Sequence, residues 1–417
     1  MTHQLTLLPP KAPLRGRVTP PGSKSITNRA LLLAALADGT SRLTGALKSD
    51  DTGHMAKALR AMGVHVEEPD DTSFLVVGNG RLAVPAEPLF LGNAGTATRF
   101  LTAAAAFAQG PVVITGDAHM RKRPIAPLVT ALRALGVTVD APTGCPPVTV
   151  HGRGGFDGNR VTVDAKLSSQ YVSALLMLAP CGRRPVEIVL QGDEIGARGY
   201  IDLTCATMRR FGARVEQRDQ ATWVVEPGRY RATDFAIEPD ASAATYLWAA
   251  EALTGGAIDI GVAAESFTQP DARASQLIRR FPDLPPVIDG SQMQDAVPTL
   301  AVLAAFGSAP VRFVGIANLR VKECDRIAAM ATGLSRLCAG LAVQEGDDLL
   351  VTPAGPERFR PARIETYSDH RIAMSMALAG LRVPGVTILD PDCVNKTYPD
   401  YWRDMASLGV AMETADR

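Results

Sequence analysis

Cationic and hydroxyl side chains gather where helices are predicted to begin. Lys24, Ser25 and Arg29 open the first apolar helix, and the free backbone amides at a helix N-terminus attract anions. The segment therefore suits a phosphate or a carboxylate, although an ordinary serine cap beside a solvated lysine and arginine fits it equally well. It is not a P-loop, because Ser23 stands where that motif requires glycine directly before lysine.

Two further polar clusters follow at corresponding places along the chain. Glycines at 92 and 95 flank Asn93, and an arginine follows, so the backbone there can approach a ligand closely. Further along the chain, the second cluster consists of Ser168, Ser169 and Gln170, whose short side chains can donate hydrogen bonds. A tight turn and a helix cap explain these two clusters as well as a ligand does. Basic clusters also precede predicted helices at residues 121–124, 320–326, 369–371 and 395–397.

Two carboxylates interrupt the cationic set, Asp295 at the start of an apolar helix and Glu323 beside Lys322. A carboxylate among bound anions is costly unless it moves a proton or binds a hydroxyl, so each is a candidate general acid or base. A helix cap for Asp295 and an ion pair for Glu323 remain open alternatives. We expect other acids to balance the cations elsewhere, which leaves a site for ligands with at least two strongly anionic groups.

Composition excludes several classes of protein. The chain has 417 residues and equal numbers of basic and acidic residues, 43 each, so it lacks the positive field of a general nucleic-acid binder. Six scattered cysteines form no C-x-x-C pair, and no secretory leader is visible, so we expect reduced thiols and a cytoplasmic location. The longest apolar runs are shorter than the roughly 20 residues of a membrane-spanning helix, so no membrane association is expected.

A short sequence pattern recurs along the chain: an amphipathic helix ends at a glycine, and a strand rich in β-branched residues follows. It ends at Gly63, Gly136, Gly212, Gly340 and Gly409, and in the fourth copy at Phe281, where Pro282 stands in place of glycine. Six α/β units of about 70 residues therefore fill the chain, each with an earlier helix that is apolar nearly all round and belongs in a core. We predict an α/β fold of two similar domains, each of three units, with a cleft between them. The expected domains are residues 20–236, inserted into a discontinuous domain of 1–19 plus 237–417.

Seven motifs in order carry a resemblance that covers nearly the whole chain. They lie at residues 21–29, 91–96, 123–125, 168–170, 321–326, 369–371 and 396–399. In these motifs the chain resembles the 5-enolpyruvylshikimate-3-phosphate synthase family of enolpyruvyl transferases. The resemblance implies pseudo-threefold domains with the active site in the interdomain cleft. It also implies transfer of the enolpyruvyl group of phosphoenolpyruvate to the 5-hydroxyl of shikimate 3-phosphate, by addition and elimination, in a monomer without metal or organic cofactor.

The resemblance also implies residue roles. The implied contacts of shikimate 3-phosphate are Ser25, Arg29, Ser168, Ser169, Gln170, Tyr200, Asp295, Asn318 and Lys322. The implied contacts of phosphoenolpyruvate are Lys24, Asn93, Gly95, Arg123, Gln170, Arg326, Arg371 and Lys396. Asp295 and Lys322 are expected to act on the hydroxyl and Glu323 on the methylene, with Lys24 as a fourth catalytic residue.

Three positions depart from the family pattern, and two other functions stay open. Ala197 replaces a common serine, Phe100 a common proline beside the phosphoenolpyruvate pocket, and His119 a common arginine. One alternative is the related transferase that uses UDP-N-acetylglucosamine, but its reactive cysteine has no counterpart at residues 117–124. The other is a non-catalytic binder of phosphorylated metabolites, which the embedded Asp295 and Glu323 disfavour.

Overall fold

The structure, a computed structural model, describes residues 3–166, 168–192 and 196–415. Its α-helices are α1 (Lys24–Leu36), α2 (Asp50–Ala61), α3 (Gly95–Ala104), α4 (Ala126–Ala134), α5 (Ser169–Leu178), α6 (Gly199–Arg210), α7 (Ala241–Thr254), α8 (Ala274–Ile278), α9 (Val297–Ala305), α10 (Arg326–Leu337), α11 (His370–Ala379) and α12 (Tyr401–Ser407).

The first strands are β1 (Gln4–Leu8), β2 (Arg15–Arg17), β3 (Ala37–Thr44), β4 (His65–Asp70), β5 (Ser73–Asn79), β6 (Leu89–Phe90), β7 (Pro111–Thr115), β8 (Thr138–Asp140), β9 (Val148–His151), β10 (Arg160–Asp164), β11 (Val186–Gln191) and β12 (Val215–Gln217). They are followed by β13 (Thr222–Val225), β14 (Tyr230–Arg231), β15 (Phe235–Ala236), β16 (Ala257–Asp259), β17 (Val287–Asp289), β18 (Val311–Val314), β19 (Ala342–Glu345), β20 (Asp348–Val351), β21 (Ala362–Ile364), β22 (Val386–Leu389) and β23 (Ala411–Ala415).

Contacts between residues divide the chain into two units, residues 22–238 and residues 1–21 with 239–417. Each unit has its own apolar core. The domain limits expected from the sequence, 20–236 and 1–19 plus 237–417, stay a prediction.

One pairing scheme recurs in the sheets of both units. In unit 22–238, β6 pairs in parallel with β7, β9 pairs antiparallel with β7, and β8 lies antiparallel at the edge. The sheets β10-β11-β13-β12 and β17-β18-β20-β19 follow the same scheme. In the sheet β21-β22-β1-β23, the N-terminal strand β1 occupies the third position. In the sheet β14-β3-β5-β4, the strands β14 and β15 both pair in parallel with β3. The predicted repeated α/β unit is thereby confirmed.

The fourth repeat departs from the prediction of equal units. Within the described part of the chain, its sheet consists of β2 and β16, without the antiparallel pair that the other sheets have. The chain passes from Ile278, the last residue of α8, to β17 at Val287, which leaves too few residues for a further hairpin. The proline at 282, in place of the glycine of the other repeats, marks this shortened unit.

One helix of each repeat lies in the core, as its continuous apolar sequence predicts. Helices α1, α3 and α5 are buried along nearly their whole length in unit 22–238, and α7, α9 and α11 are buried in the other unit. The outer helices end as predicted: Gly63 after α2 and Gly409 after α12 adopt positive φ angles of 83° and 103°, which favour glycine. Leu167, part of the predicted opening of α5, lies outside the described residues.

Among the described residues, no helix is both long and apolar enough to cross a membrane. The six cysteines are free thiols.

Candidate active site

The buried helices of unit 22–238 begin at the polar clusters that the sequence singles out. Lys24 is the first residue of α1 and is buried, and the side chain of Ser23 caps that helix by accepting from the amide of Ile26. Ser168 caps α5 by accepting from the amide of Gln170, and buried Ser169 begins the helix. The helix N-termini therefore present amides and short polar side chains together, as predicted.

Arg123 and Asn93 lie together at the start of α3. Arg123 donates from one terminal nitrogen to the side-chain oxygen of Asn93 at 3.1 Å. Arg99 donates to the carbonyl of Gly95 at 3.0 Å. A Cβ atom on Gly95 would lie 2.5 Å from a terminal nitrogen of Arg99 and 2.8 Å from both terminal nitrogens of Arg123. Only glycine therefore lets two guanidinium groups approach this helix start, which forms a cradle for an anion.

Gln170 links α5 to the same cradle. Its amide nitrogen lies 3.3 Å from the hydroxyl of Thr96, the second residue of α3. The hydroxyl of Tyr171 donates to the carbonyl of Pro124 at 2.7 Å, next to Arg123. Hydrogen bonds thus join Gln170 to α3, and its neighbour Tyr171 to the segment that carries Arg123.

Arg29 and Tyr200 form a second group in this unit. Arg29 is 2% exposed and donates to the carbonyls of Ser25 at 2.8 Å and of Tyr200 at 3.3 Å. It also donates to the hydroxyls of Thr204 at 2.7 Å and of Ser173 at 3.2 Å. Burial lowers the pKa of Arg29 to about 10. The guanidinium is therefore a desolvated cation that an anionic ligand would stabilise.

Arg326 is the centre of the cluster in the other unit. Only 2% of its side chain is exposed, and it makes two hydrogen bonds to Asp369, at 2.8 and 3.2 Å. It also contacts Asp295 at 3.0 Å and Glu323 at 2.7 Å. Burial alone would lower the pKa of Arg326, but the charges of Asp369, Glu323 and Asp295 outweigh it and raise that pKa above its ordinary value.

Two more cations complete this cluster. Arg371 donates to Asp295 at 2.8 Å and to the hydroxyl of Tyr246 at 3.3 Å, and Lys396 donates to Glu323 at 2.6 Å. Burial opposes the charge of Arg371, yet Asp295 raises its pKa well above the ordinary value. Burial raises the pKa of Tyr246 to about 12, so that hydroxyl is neutral. Three cations therefore alternate with three carboxylates.

The expectation that acids balance the cations elsewhere is wrong for this unit. Asp295 bridges Arg326 and Arg371, and Glu323 bridges Arg326 and Lys396. The reason is burial: in this cluster the cost of taking three cations out of water is offset by carboxylates in direct contact with them. The alternative of an ion pair for Glu323 is thus realised, and Asp295 is ion-paired as well.

Lys322 and Asn318 lie on the segment that leads into α10. The amine of Lys322 lies 3.5 Å from the side-chain oxygen of Gln294, the residue before Asp295. Asn318 is buried, in a 3-10 turn over Ala317–Val321. Lys322 therefore contacts the residue that precedes Asp295, its predicted partner on the hydroxyl side.

Sequence reasoning assigned no role to several residues that hold the site. Asp369 was recognised only as part of a motif, yet it caps α11 and holds Arg326. Its position directly before a predicted buried helix is a usable signal for a cap. Thr204 and Ser173 lie inside helices and carry no local signal, because their contacts to Arg29 join distant parts of the chain. Phe100 places its ring 5.1 Å from the guanidinium of Arg29.

Within the described ranges, no group of three or more His, Cys, Asp or Glu side chains is arranged to hold a metal ion. Cys324, beside the cluster, has its pKa raised by burial and by Asp369, so its thiol is protonated.

The chain matches the family EPSP synthase (3-phosphoshikimate 1-carboxyvinyltransferase) over residues 8–281 and 284–405. It is 67% identical over 417 residues to a 3-phosphoshikimate 1-carboxyvinyltransferase of Rhizobium leguminosarum bv. trifolii (strain WSM2304), covering 100% of this chain and 99% of the relative. The enzyme of the same name from Pseudomonas syringae pv. syringae (strain B728a) is 66% identical over 411 residues, 98% of each chain.

Solved structures agree with the sequence relatives. An EPSP synthase from Acinetobacter baumannii superposes with a TM-score of 0.80 at 26% identity, covering 100% of each chain. The enolpyruvyl transferase NikO from Streptomyces tendae shares the fold, with a TM-score of 0.76 at 19% identity over 100% of this chain and 99% of that one. The resemblance seen in the seven motifs is confirmed, and the chain belongs to the EPSP synthase family.

Proposed function

We propose that this protein transfers the enolpyruvyl group of phosphoenolpyruvate to the 5-hydroxyl of shikimate 3-phosphate and releases inorganic phosphate. The observation that carries the proposal is the cluster of three cations and three carboxylates around Arg326. It combines anion binding with ionised oxygens able to move protons. The family match over almost the whole chain supports the same reaction.

Anion binding is divided between the two units in this proposal. Lys24, Asn93, Gly95, Arg123 and Gln170 in one unit, with Arg326, Arg371 and Lys396 in the other, hold phosphoenolpyruvate. Ser25, Arg29, Ser168, Ser169, Gln170 and Tyr200, with Asp295, Asn318 and Lys322, hold shikimate 3-phosphate. In this proposal both units act on the same pair of substrates, because each unit supplies part of each set. Fixing two polyanions side by side is itself a large part of the catalysis.

The addition step forms a bond between the 5-oxygen and C2 of phosphoenolpyruvate. The hydroxyl loses its proton to Asp295, with Lys322 beside it, and the C3 methylene gains a proton to become a methyl group. Lys24 helps to stabilise the negative charge on the phosphate of the tetrahedral intermediate. The elimination step breaks the bond between C2 and the phosphate oxygen, a methyl proton leaves to restore the double bond, and the proton taken up by Asp295 leaves with the phosphate as hydrogen phosphate.

Glu323 is the residue proposed to move the proton at C3. Both of its oxygens contact cations, Arg326 at 2.7 Å and Lys396 at 2.6 Å, so it is ionised in the absence of substrate. An ionised Glu323 has to receive a proton before it can give one, and the ammonium of Lys396 lies within hydrogen-bond distance to supply it. In the elimination step Glu323 takes a proton back from the methyl group.

The remaining properties follow from the same proposal. The substrates are small molecules, and the protein acts as a cytoplasmic monomer without nucleic-acid or membrane partners. The reaction needs no metal or organic cofactor, because the arginines and lysines supply the positive charge. Light scattering is expected to give a mass near 44.1 kDa, and dialysis against EDTA is expected to leave turnover unchanged. A doubled mass, or activity restored only by added metal, would contradict these two points.

Substrate choice separates this proposal from its two alternatives. The protein is incubated with phosphoenolpyruvate and either shikimate 3-phosphate or UDP-N-acetylglucosamine, and products are identified by mass spectrometry. We expect an enolpyruvyl adduct of shikimate 3-phosphate alone. Glu323→Gln is expected to lose 100-fold or more of this turnover, at the scale of a general acid–base residue. Glu345→Gln, an exposed carboxylate paired with Arg312, is the matched control and keeps full turnover.

The other products would identify the alternatives. An adduct of the UDP-sugar would assign the related transferase, and binding of both substrates without any adduct would assign a binding protein.

A further inference from the structure

Arg29 lies where four helices of unit 22–238 meet, its own helix and three others. It lies on α1 and donates from Nε to the hydroxyl of Thr204 on α6, and from a terminal nitrogen to the hydroxyl of Ser173 on α5. The ring of Phe100 on α3 lies 5.1 Å from the guanidinium carbon. Thr204 and Ser173 are 0% exposed, so the hydroxyls belong to the interior.

The partners of Arg29 are all neutral in the described part of the chain. Carbonyls of Ser25 and Tyr200 and the two hydroxyls accept four of the five hydrogens that a guanidinium can donate. The fifth, on the terminal nitrogen that contacts Ser25, is directed at none of the described acceptors. Arg326 in the other unit differs, because three carboxylates contact it.

Thr204 orients Arg29 in the same way as Asp369 orients Arg326. Each accepts a hydrogen bond from Nε, at 2.7 and 2.8 Å, and so fixes the plane of the guanidinium. The hydroxyl of Thr204 is itself oriented, since it lies 2.7 Å from the carbonyl of Tyr200 and 2.9 Å from the hydroxyl of Ser173. A hydroxyl holds the group without cancelling its charge, whereas a carboxylate does both.

We propose that Thr204, supported by Ser173, is a positioning residue that holds Arg29 with its charge uncompensated, so that an anionic oxygen of shikimate 3-phosphate receives the fifth hydrogen. The proposal rests on the proposed function for the identity of that ligand. The aromatic face of Phe100 stabilises the cation from one side without adding negative charge. Thr204 touches no substrate in this scheme and acts through Arg29.

The test compares Thr204→Val with Thr207→Val. Valine matches the shape of threonine and removes only the hydroxyl, and Thr207 lies on the same helix with its hydroxyl bound to the carbonyl of Leu203. We expect Thr204→Val to weaken binding of shikimate 3-phosphate, measured by calorimetry, by about 10-fold to 100-fold, as for lost hydrogen bonds to a charged group. The KM for phosphoenolpyruvate should change less than about twofold, and Thr207→Val should bind both substrates normally.

Two further variants separate positioning from a merely structural role. Thr204→Ser keeps the hydroxyl and should restore the affinity for shikimate 3-phosphate. Thr204→Asp adds a counter-ion to a buried cation, so it should keep the fold, measured by thermal unfolding, and abolish binding of shikimate 3-phosphate. Normal affinity in Thr204→Val or in Thr204→Asp would overturn the proposal, as would equal losses for both substrates in Thr204→Val. A wild-type protein that forms no product would instead contradict the proposed function.

Discussion

Buried arginines are held in two ways in this protein. Three carboxylates contact Arg326, so an anion that bound there would have to replace part of an existing ion pair. Arg29 is held by hydroxyls and carbonyls, so an anion that bound there would meet an uncompensated charge. We infer that the arrangement around Arg326 suits a substrate group that exchanges protons during the reaction. The arrangement around Arg29 suits a substrate group that is bound but does not react.

Replacing Gly95 by alanine tests the anion cradle by adding one methyl group. Gly95→Ala puts a methyl group 2.5 Å from Arg99 and 2.8 Å from Arg123, so these guanidinium groups must move away from the helix start. We expect the KM for phosphoenolpyruvate to rise by about 10-fold or more, the scale of one displaced charged hydrogen bond, with a smaller change for shikimate 3-phosphate. Steady-state kinetics with each substrate varied in turn measures the difference.

The matched control for this change is Gly53→Ala. Gly53 lies within α2, and a Cβ atom there would have no neighbour within 4 Å, so alanine should leave both KM values unchanged and slightly stabilise the helix. An unchanged KM for phosphoenolpyruvate in Gly95→Ala would mean that the two arginines do not form the cradle.

At the scale of elements, the cap of α11 also carries an ion pair. Asp369 accepts from the amide of Arg371 at 2.9 Å and holds buried Arg326. Asn caps helices as well as Asp, so Asp369→Asn removes mainly the ion pair and is expected to cost about 3 kcal/mol of unfolding free energy. Urea denaturation measures this loss.

Asp325→Asn provides the comparison. Asp325 caps α10 and pairs with Arg320, whose side chain is 29% exposed, so its loss should cost no more than about 1 kcal/mol. Equal losses in Asp369→Asn and Asp325→Asn would show that burial does not strengthen the Asp369 pair.

Asp390 makes stability depend on pH at the 3-10 turn that carries Lys396. It stands before the 3-10 turn Pro391–Lys396, and Ser368, two residues before α11, lies 3.3 Å from it. Burial, together with the charges of Asp392 and Glu365, raises the pKa of Asp390. Because the folded state then binds the proton more tightly than the unfolded state, stability falls as the pH rises through this range, and ionised Asp390 destabilises the fold at pH 7.

Asp390→Asn removes that cost and suits the positive φ angle of 54° at this position. We expect a higher midpoint of thermal unfolding at pH 7, with the gain shrinking below about pH 4, where aspartate is protonated in both states. A gain that is the same at both pH values would show that the charge of Asp390 is not its cause.

At the scale of the whole molecule, local pattern predicted the repeats and the helix starts. The glycines that end the outer helices and the apolar runs of the buried helices are readable because both depend on neighbours in sequence. Two strands of the other repeats have no counterpart among the described residues of the fourth, and the sequence signals this only by the shorter interval between Phe281 and Gly340. The contacts of Thr204 and of Asp369 could not be predicted, because they depend on how helices far apart in sequence pack around one guanidinium.

The roles of most site residues came from the resemblance rather than from spacing, and they stay predictions. The structure brings Asp295, Glu323, Arg326, Arg371 and Lys396 into one cluster. What it adds to the sequence is the pairing of these charges, which decides the protonation from which the reaction starts.

The most direct test of the central claim is the release of inorganic phosphate. The protein is mixed with phosphoenolpyruvate, with and without shikimate 3-phosphate, and free phosphate is measured over time. The account predicts release only when both substrates are present, with one phosphate for each shikimate 3-phosphate consumed. No release with both substrates at high protein concentration, or equal release from phosphoenolpyruvate alone, would contradict it.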